Sequence, residues 1–153
     1  MTSDEDLIPA AIAAVASGSL LQVANADDAN RIFSSIIENV AKDCVKAGSW
    51  MIGHIKANVR SGGELLSVSS TTDDGNVRYR YSFKKDVKDY SMTVNVIVYG
   101  IERHTAAEIL ISNMRKALDN VDIQVRSETG CEDPECGDPM CRDEGHRRII
   151  AIE

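Results

Sequence analysis

A helical repeat of apolar residues dominates positions 32 to 45, where they recur three and four apart. Asn25 or Asp27 can cap the N-terminus of this helix, and Gly48 follows its last turn. Cys44 lies on the apolar stripe, so we expect it to be buried as a small hydrophobic side chain. The stripe consists of Ile32, Phe33, Ile36, Ile37, Val40, Ala41, Cys44 and Val45.

Two further helices are predicted, one near the N-terminus and one after residue 104. The apolar run near the N-terminus predicts a short helix over Leu7–Ala16, since acidic residues precede it and Pro9 is tolerated in a first turn. A later helix is predicted to begin at Thr105, which can form a capping box with Glu108. Its apolar face would comprise Ala107, Leu110, Ile111, Met114, Ala117 and Leu118.

The apolar period falls to two between Trp50 and Tyr99, which is typical of strands. Two glycine turns and a charged loop divide this stretch, and its short connections favour a four-stranded antiparallel meander with helices packed on one face. The runs Val121–Arg126 and Arg148–Ile152 predict a C-terminal hairpin. We therefore predict an α+β fold and a single domain spanning residues 1–153.

Composition limits the function classes. With 5% aromatic residues among 43% apolar ones, the core must be mostly aliphatic. The net charge of −7 disfavours nucleic acid as a partner. No apolar run approaches the ~20 residues of a membrane span, and the acidic N-terminus lacks the basic start of a secretory signal, so we expect no membrane association and a cytoplasmic location.

The segment 127–147 carries the strongest local signal for chemistry. Cys131, Cys136, Cys141 and His146 recur there at intervals of five, with prolines and glycines that favour tight loops between them. Three thiolates and one imidazole are the ligand set of a tetrahedral zinc site, and the cytoplasm keeps thiols reduced. We therefore predict a structural zinc ion in this acidic loop, where it would contribute directly to folding.

Other interpretations of this loop stay open. The C-x₂-C knuckles of common structural zinc sites are absent, and six acidic side chains surround the four ligands. A solvated loop with inert thiols, or a redox-active thiol pair, would also fit this composition. The sequence does not decide whether Cys44 takes part.

Strand alternation predicts a second candidate site on the sheet face turned away from the helices. Its basic members His54, Lys56, Arg78 and Arg80 would form a ligand-binding surface suited to a small anion or an acidic partner. Trp50, Ile52 and Tyr99 at its margin would also suit a homodimer interface. An ordinary solvated sheet face is the competing interpretation. The complete predicted surface is His54, Lys56, Asn58, Arg60, Arg78, Arg80, Thr93, Asn95 and Tyr99.

These observations give two main hypotheses for function. The first is a small zinc-binding regulatory or interaction protein. The second is a ligand-binding or homodimerisation module that uses the basic sheet face, with the cysteine loop incidental or redox-active. No nucleophile elbow, phosphate-binding loop or metalloprotease motif is present, so an enzyme is the least favoured class.

Overall fold

The computed structural model describes residues 8–72, 75–127 and 149–152. Within these ranges the chain forms one antiparallel seven-stranded sheet and two helices, an α+β architecture. The elements in chain order are β1 (Ala10–Ala24), α1 (Ala26–Lys46), β2 (Met51–Ser61), β3 (Glu64–Ser70), β4 (Arg78–Tyr81), β5 (Val87–Tyr99), α2 (Arg103–Ala117), β6 (Asp122–Ser127) and β7 (Ile149–Ile152).

The strands lie in the order β4-β3-β2-β5-β1-β6-β7. β5 is antiparallel to both β1 and β2, so β1 and β2 run parallel to each other, and α1 crosses over β5 between them. By the same logic α2 connects the parallel strands β5 and β6 across β1. The four central strands and the two helices thus form the split βαβ, or ferredoxin-like, arrangement, with the β3–β4 hairpin inserted between β2 and β5.

Both helices contribute to one apolar core on one face of the sheet. Asn25 caps α1 by accepting a hydrogen bond from the backbone N–H of Asp28 at 2.8 Å, and Gly48 follows the helix at φ +116°. The predicted stripe of α1 is confirmed for its central positions, which are fully or almost fully buried. The large buried side chains of the core include Phe33, Ile36, Ile37, Ile55, Leu66, Leu110, Met114 and Ile123.

The predicted N-terminal helix over Leu7–Ala16 is wrong, because residues 10–24 form β1 in the middle of the sheet. Alanine and leucine favour helices in isolation, but this strand has β5 on one side and β6 on the other. Ile12 and Ala14 point into the core and are 2% and 0% exposed. Tertiary pairing therefore overrides local propensity here.

The predicted four-stranded meander is also wrong. The segments β2, β3 and β4 do follow one another in the sheet, but β5 lies beside β2 on its other edge instead of beside β4. β5 has 13 residues and β4 has 4, so the long β2 offers β5 far more pairing than the short β4. β1 pairs with the other edge of β5.

α2 begins earlier than the predicted capping box requires. Glu102 is the N-cap residue, with no side-chain hydrogen bond to the helix, so Thr105 lies inside the first turn. The apolar face is largely as predicted, with Leu110, Ile111 and Met114 buried. The helix ends at Ala117, shortly before Asn120 adopts φ +50°.

β6 pairs with β7 in antiparallel register, Arg126 opposite Ile149. The ends of the intervening segment are therefore neighbours in the sheet, and the segment itself lies outside the described residues. Neither α1 nor α2 is long and apolar enough to cross a bilayer.

Candidate functional site

The sheet face opposite the helices, called the open face below, carries the residues predicted for a ligand-binding surface. On β2, His54, Lys56 and Asn58 are half-buried and Arg60 is exposed, while the alternate residues Ile55 and Val59 are buried in the core. The alternation follows from strand geometry, since successive side chains point to opposite faces. The structure thus places this part of the predicted surface on a single face.

Cross-strand register aligns several of these residues in one row. Lys56 pairs with Ser69 of β3 on one side and with Asn95 of β5 on the other. Ser69 in turn pairs with Arg78 of β4. Directly opposed residues in adjacent strands lie ~5 Å apart, so Lys56 and Arg78 are separated by about 10 Å with a serine hydroxyl between them.

Three cations of the open face, Lys56, Arg60 and Arg78, form what we call the basic flank. None of them lies within 4.0 Å of a carboxylate oxygen among the described residues. Ion pairs in that part of the chain include those of Arg31 with Asp28, Lys42 with Glu38 and His104 with Glu108. Two carboxylates, Asp89 and Asp122, lie at the end of the open face where β5 and β6 begin. Asp89 accepts a hydrogen bond from the Ser19 hydroxyl. Among the described residues, the basic flank therefore has no ion-pair partner.

Arg80 is not aligned with the other predicted ligand-binding residues. The β3–β4 register shifts so that Ser67 pairs with Tyr81 and Val68 with Tyr79, which leaves Arg80 within the irregularity. Its guanidinium carbon lies 5.4 Å from the centroid of the Tyr81 ring. A cavity of about 550 Å³ opens at this edge, lined by Glu64, Leu65, Arg80, Tyr81, Ser82 and Lys84.

Apolar residues cross part of the remaining open face, next to polar residues such as Thr93 and Asn95. Ile97 lies beside Ala11, and Val15, on the same strand as Ala11, is 37% exposed. Where β2 begins and β5 ends, Met51 pairs with Tyr99 and is 42% exposed. The centroid of the Tyr99 ring lies 5.5 Å from that of the Trp50 ring. We call Met51, Tyr99, Ile97, Ala11, Ala13 and Val15, which run diagonally from β2 across β5 to β1, the apolar band.

A β-bulge at Gly53 corrects the predicted margin of this surface. The register of β2 against β5 shifts between Ile52 and His54, so Ile52 pairs with Val98 and is buried at 5% exposure. Ile52 therefore belongs to the core, and Met51 takes its place on the open face. A bulge adds one unpaired residue and reverses the alternation beyond it.

Sequence reasoning missed the β1 and β3 contributions to the open face. The sequence predicts a helix over Leu7–Ala16, and a helical interpretation hides the strand alternation of these residues. Ser67 and Ser69 carry no charge, and only the register of β3 against β2 brings them beside Asn58 and Lys56. The alternation of apolar residues with serines along β3 is the sequence signal that could have placed Ser67 and Ser69 on the open face.

A larger cavity of about 710 Å³ lies beside α2, but it offers little for recognition. Its apolar lining residues Ile111 and Val125 are only 9% and 2% exposed. At its rim His104 contacts Glu108, with 3.0 Å between Nε2 and Oε1, and both side chains are exposed. His104 is thus a surface residue.

Cys44 is fully buried in the core, as its place on the helix stripe predicted. Burial raises the pKa of its thiol to about 12, and the nearby Asp43 adds to the shift. A thiol that holds its proton so firmly is a poor metal ligand and a poor nucleophile.

The four predicted zinc ligands Cys131, Cys136, Cys141 and His146 lie outside the described residues. Among the residues that are described, no group of three or more His, Cys, Asp or Glu side chains is placed to hold a metal ion. The zinc assignment consequently stays a prediction from the sequence.

Comparison of the chain with protein-family models, curated proteins and solved structures finds no match.

Proposed function

We propose that this chain is a binding module whose basic flank recognises an anion with several oxygen atoms, such as a phosphate- or carboxylate-bearing ligand or an acidic segment of a partner. One observation carries the proposal: Lys56 and Arg78 share a cross-strand row with Ser69 between them, and no described carboxylate neutralises either cation. A guanidinium and an ammonium with hydroxyl and amide donors nearby are suited to oxyanions.

Pyrophosphate is a suitable probe because it carries several oxygens and spans two phosphate groups. We expect it to raise the melting temperature of the protein at constant ionic strength, since a ligand that binds only the folded state stabilises it. Replacing Lys56 or Arg78 by glutamine should weaken binding about tenfold each, the loss of one charge-assisted hydrogen bond.

Matched controls lie on the helix layer. Lys46→Gln and Arg115→Gln remove the same charges at exposed positions in the last turns of α1 and α2. If all four variants respond to pyrophosphate alike, binding is non-specific and the proposal is wrong. An unchanged melting temperature of the parent protein with pyrophosphate would also count against it.

We also propose, as a second function, that Cys131, Cys136, Cys141 and His146 hold a structural zinc ion. The ligand set supports this, and the antiparallel pairing of β6 with β7 supports it by bringing the two ends of the segment together. A metal ion would then close a loop whose ends are already adjacent, which reduces the entropy cost of ordering it.

Elemental analysis of protein purified without chelator tests this second function. We expect about one zinc per chain, lost in Cys136→Ser and retained in Cys44→Ala, because Cys44 lies in the core. Absence of zinc and iron, with three thiols reacting freely under native conditions, would rule out the metal site.

A further inference from the structure

The cavity at the β3–β4 edge combines an aromatic and apolar lining with polar groups. Leu65 and Tyr81 line it together with Arg80, Ser82 and Lys84, and its volume of about 550 Å³ is within the range of small-molecule sites. Tyr81 is 50% exposed, so half of its side chain can contact a ligand. An exposed aromatic ring in a concave site is a surface on which the planar ring of a ligand can stack.

Two sets of contacts hold the cavity in shape. The Glu64 carboxylate accepts hydrogen bonds from the backbone N–H groups of Lys84 and Lys85, each at 3.1 Å, which fixes the loop after β4. The Arg80 guanidinium carbon lies 5.4 Å from the centroid of the Tyr81 ring, and this cation–π contact restrains the ring. Side chains that are already restrained lose less conformational entropy when a ligand binds.

Charge assigns the ring and the phosphate of a ligand to different parts of this surface. The Glu64 carboxylate lines the cavity and would repel a phosphate placed beside it. Lys56 and Arg78, in contrast, have no carboxylate oxygen within 4.0 Å among the described residues. A phosphate is therefore favoured on the row formed by Lys56, Ser69 and Arg78, and an uncharged ring is favoured in the cavity.

The register of β3 against β4 places these two parts next to each other. Tyr81 pairs with Ser67 and Arg78 pairs with Ser69, so their partners are two residues apart on β3, about 7 Å along the same face. A sugar between a heteroaromatic ring and a phosphate covers a gap of this size. The half-buried Ser69 and Asn58 lie on the same face, where a hydroxyl and an amide can bond the hydroxyls of the sugar.

We infer that the anion recognised by the basic flank is a nucleotide, whose base stacks on Tyr81 in the cavity and whose phosphate lies on the row of Lys56, Ser69 and Arg78. The net charge of −7 disfavours a polymer of phosphates, and among the described residues that line the cavity Tyr81 is the aromatic one. The ligand is therefore a single nucleotide and not a strand. The inference rests on the proposed function, because it names the ligand class of the same site.

Two matched ligands separate the contribution of the base from that of the phosphate. AMP and ribose 5-phosphate share a sugar and a phosphate, and AMP adds the base. Calorimetric titration at constant ionic strength should give AMP an affinity about tenfold higher, the gain expected from one base stacked on an aromatic side chain.

Pyrophosphate distinguishes failure of the inference from failure of the proposed function. If pyrophosphate binds and AMP binds no more tightly than ribose 5-phosphate, the inference is wrong and the proposed function stands. If none of the three ligands binds, both are wrong.

Two tyrosines of β4 with nearly equal exposure provide matched variants. Tyr81 and Tyr79 are 50% and 47% exposed, and Tyr79 lies on the opposite side of the strand, where its hydroxyl donates to the Asn30 carbonyl. Tyr81→Leu should remove the preference for AMP and leave the affinity for ribose 5-phosphate unchanged, whereas Tyr79→Leu should keep the preference. Tyr81→Trp retains an aromatic face and should also keep it. An undiminished preference in Tyr81→Leu, or its loss in Tyr81→Trp with ribose 5-phosphate still bound, would overturn the inference.

A single-stranded oligoadenylate of about ten nucleotides tests whether the ligand is a strand. Its affinity should stay within about tenfold of that of AMP, because one nucleotide fills the site. An affinity about a hundredfold higher or more, falling steeply with salt concentration, would overturn the assignment to a single nucleotide.

Discussion

At the scale of single residues, Tyr90 has a ring that packs in the core and a hydroxyl that lacks a hydrogen-bond partner among the described residues. Its ring packs edge-on against Phe33 with 5.2 Å between centroids, while its buried hydroxyl has no hydrogen-bond partner among the described residues. A buried polar group without a partner carries a desolvation cost. The ring therefore stabilises the core and the hydroxyl opposes it.

We expect Tyr90→Phe to leave the free energy of unfolding unchanged or to raise it by about 1 kcal/mol, because the ring stays and only the unsatisfied oxygen is lost. Urea denaturation at neutral pH measures this. Tyr79→Phe is a suitable comparison, since the Tyr79 hydroxyl is exposed and donates to the Asn30 carbonyl at 3.4 Å. A loss above ~1 kcal/mol in Tyr90→Phe would mean that the hydroxyl has a partner.

Alkaline pH should destabilise the protein through two buried acids. Burial raises the pKa of Cys44 from 9.0 to about 12 and that of Tyr90 from 10.0 to about 12. Between these values the unfolded chain loses protons that the folded chain keeps, so stability is full below pH 9 and falls as the pH rises toward 12. The urea concentration at the midpoint of unfolding should fall between pH 8 and about pH 11, and it should fall less in Tyr90→Phe than in the parent protein. An equal fall in the two proteins would contradict this prediction.

At the scale of elements, the bulge at Gly53 decides which side chains of β2 reach the open face. An added Cβ at Gly53 would lie 2.9 Å from the Ile97 carbonyl oxygen, a backbone atom that cannot move away cheaply. The tight approach of β2 and β5 at this point therefore requires glycine. Without the bulge, Met51 would point into the core and Ile52 would face outward.

Gly53→Ala should lower the free energy of unfolding by about 1–3 kcal/mol, since the added methyl group forces the strands apart. Gly62→Asn is the control, because Gly62 has φ +55°, which asparagine tolerates, and nothing lies within 4 Å of its added Cβ. Denaturation curves for the two variants that coincide would contradict the role given to the bulge.

The sequence predicted α1 and the alternation of β2 and β5 well, because each has a strong period and uses its apolar side on the core. It did not predict β1, since Ala10–Ala16 has high helix propensity and only pairing with β5 and β6 makes it a strand. Nor did it predict the displacement of Ile52, because the Gly53 bulge depends on backbone contact with β5. Of the predicted basic surface, Lys56 and Arg78 share a row, and Arg80 does not.

At the scale of the whole molecule, stability should be distributed unevenly across the sheet. β1 and β5 are paired on both sides and bury alternate residues such as Ala14 and Val96, whereas all four residues of the edge strand β4 are exposed. Backbone amides open most rarely where pairing and burial coincide. The centre of the sheet should thus be the last part to open.

Hydrogen exchange measured by mass spectrometry should show the slowest exchange in peptides from residues 10–16 and 92–98 and fast exchange in residues 78–81. This pattern follows from the position of β1 between β5 and β6. Rapid exchange in residues 10–16, with slow exchange in α1, would contradict a central position of the N-terminal strand.

The central position of β1 also affects how the chain is made. In the sheet Ala10 pairs with Val98 and Ile12 pairs with Ser127. β1 therefore leaves the ribosome long before either of its neighbouring strands has been synthesised. Until then its apolar residues are open to chaperones or to another nascent chain, and contacts so distant in sequence slow folding. Fusing a bulky, slowly folding partner before residue 10 should therefore reduce the yield of native protein more than fusing the same partner at the other terminus.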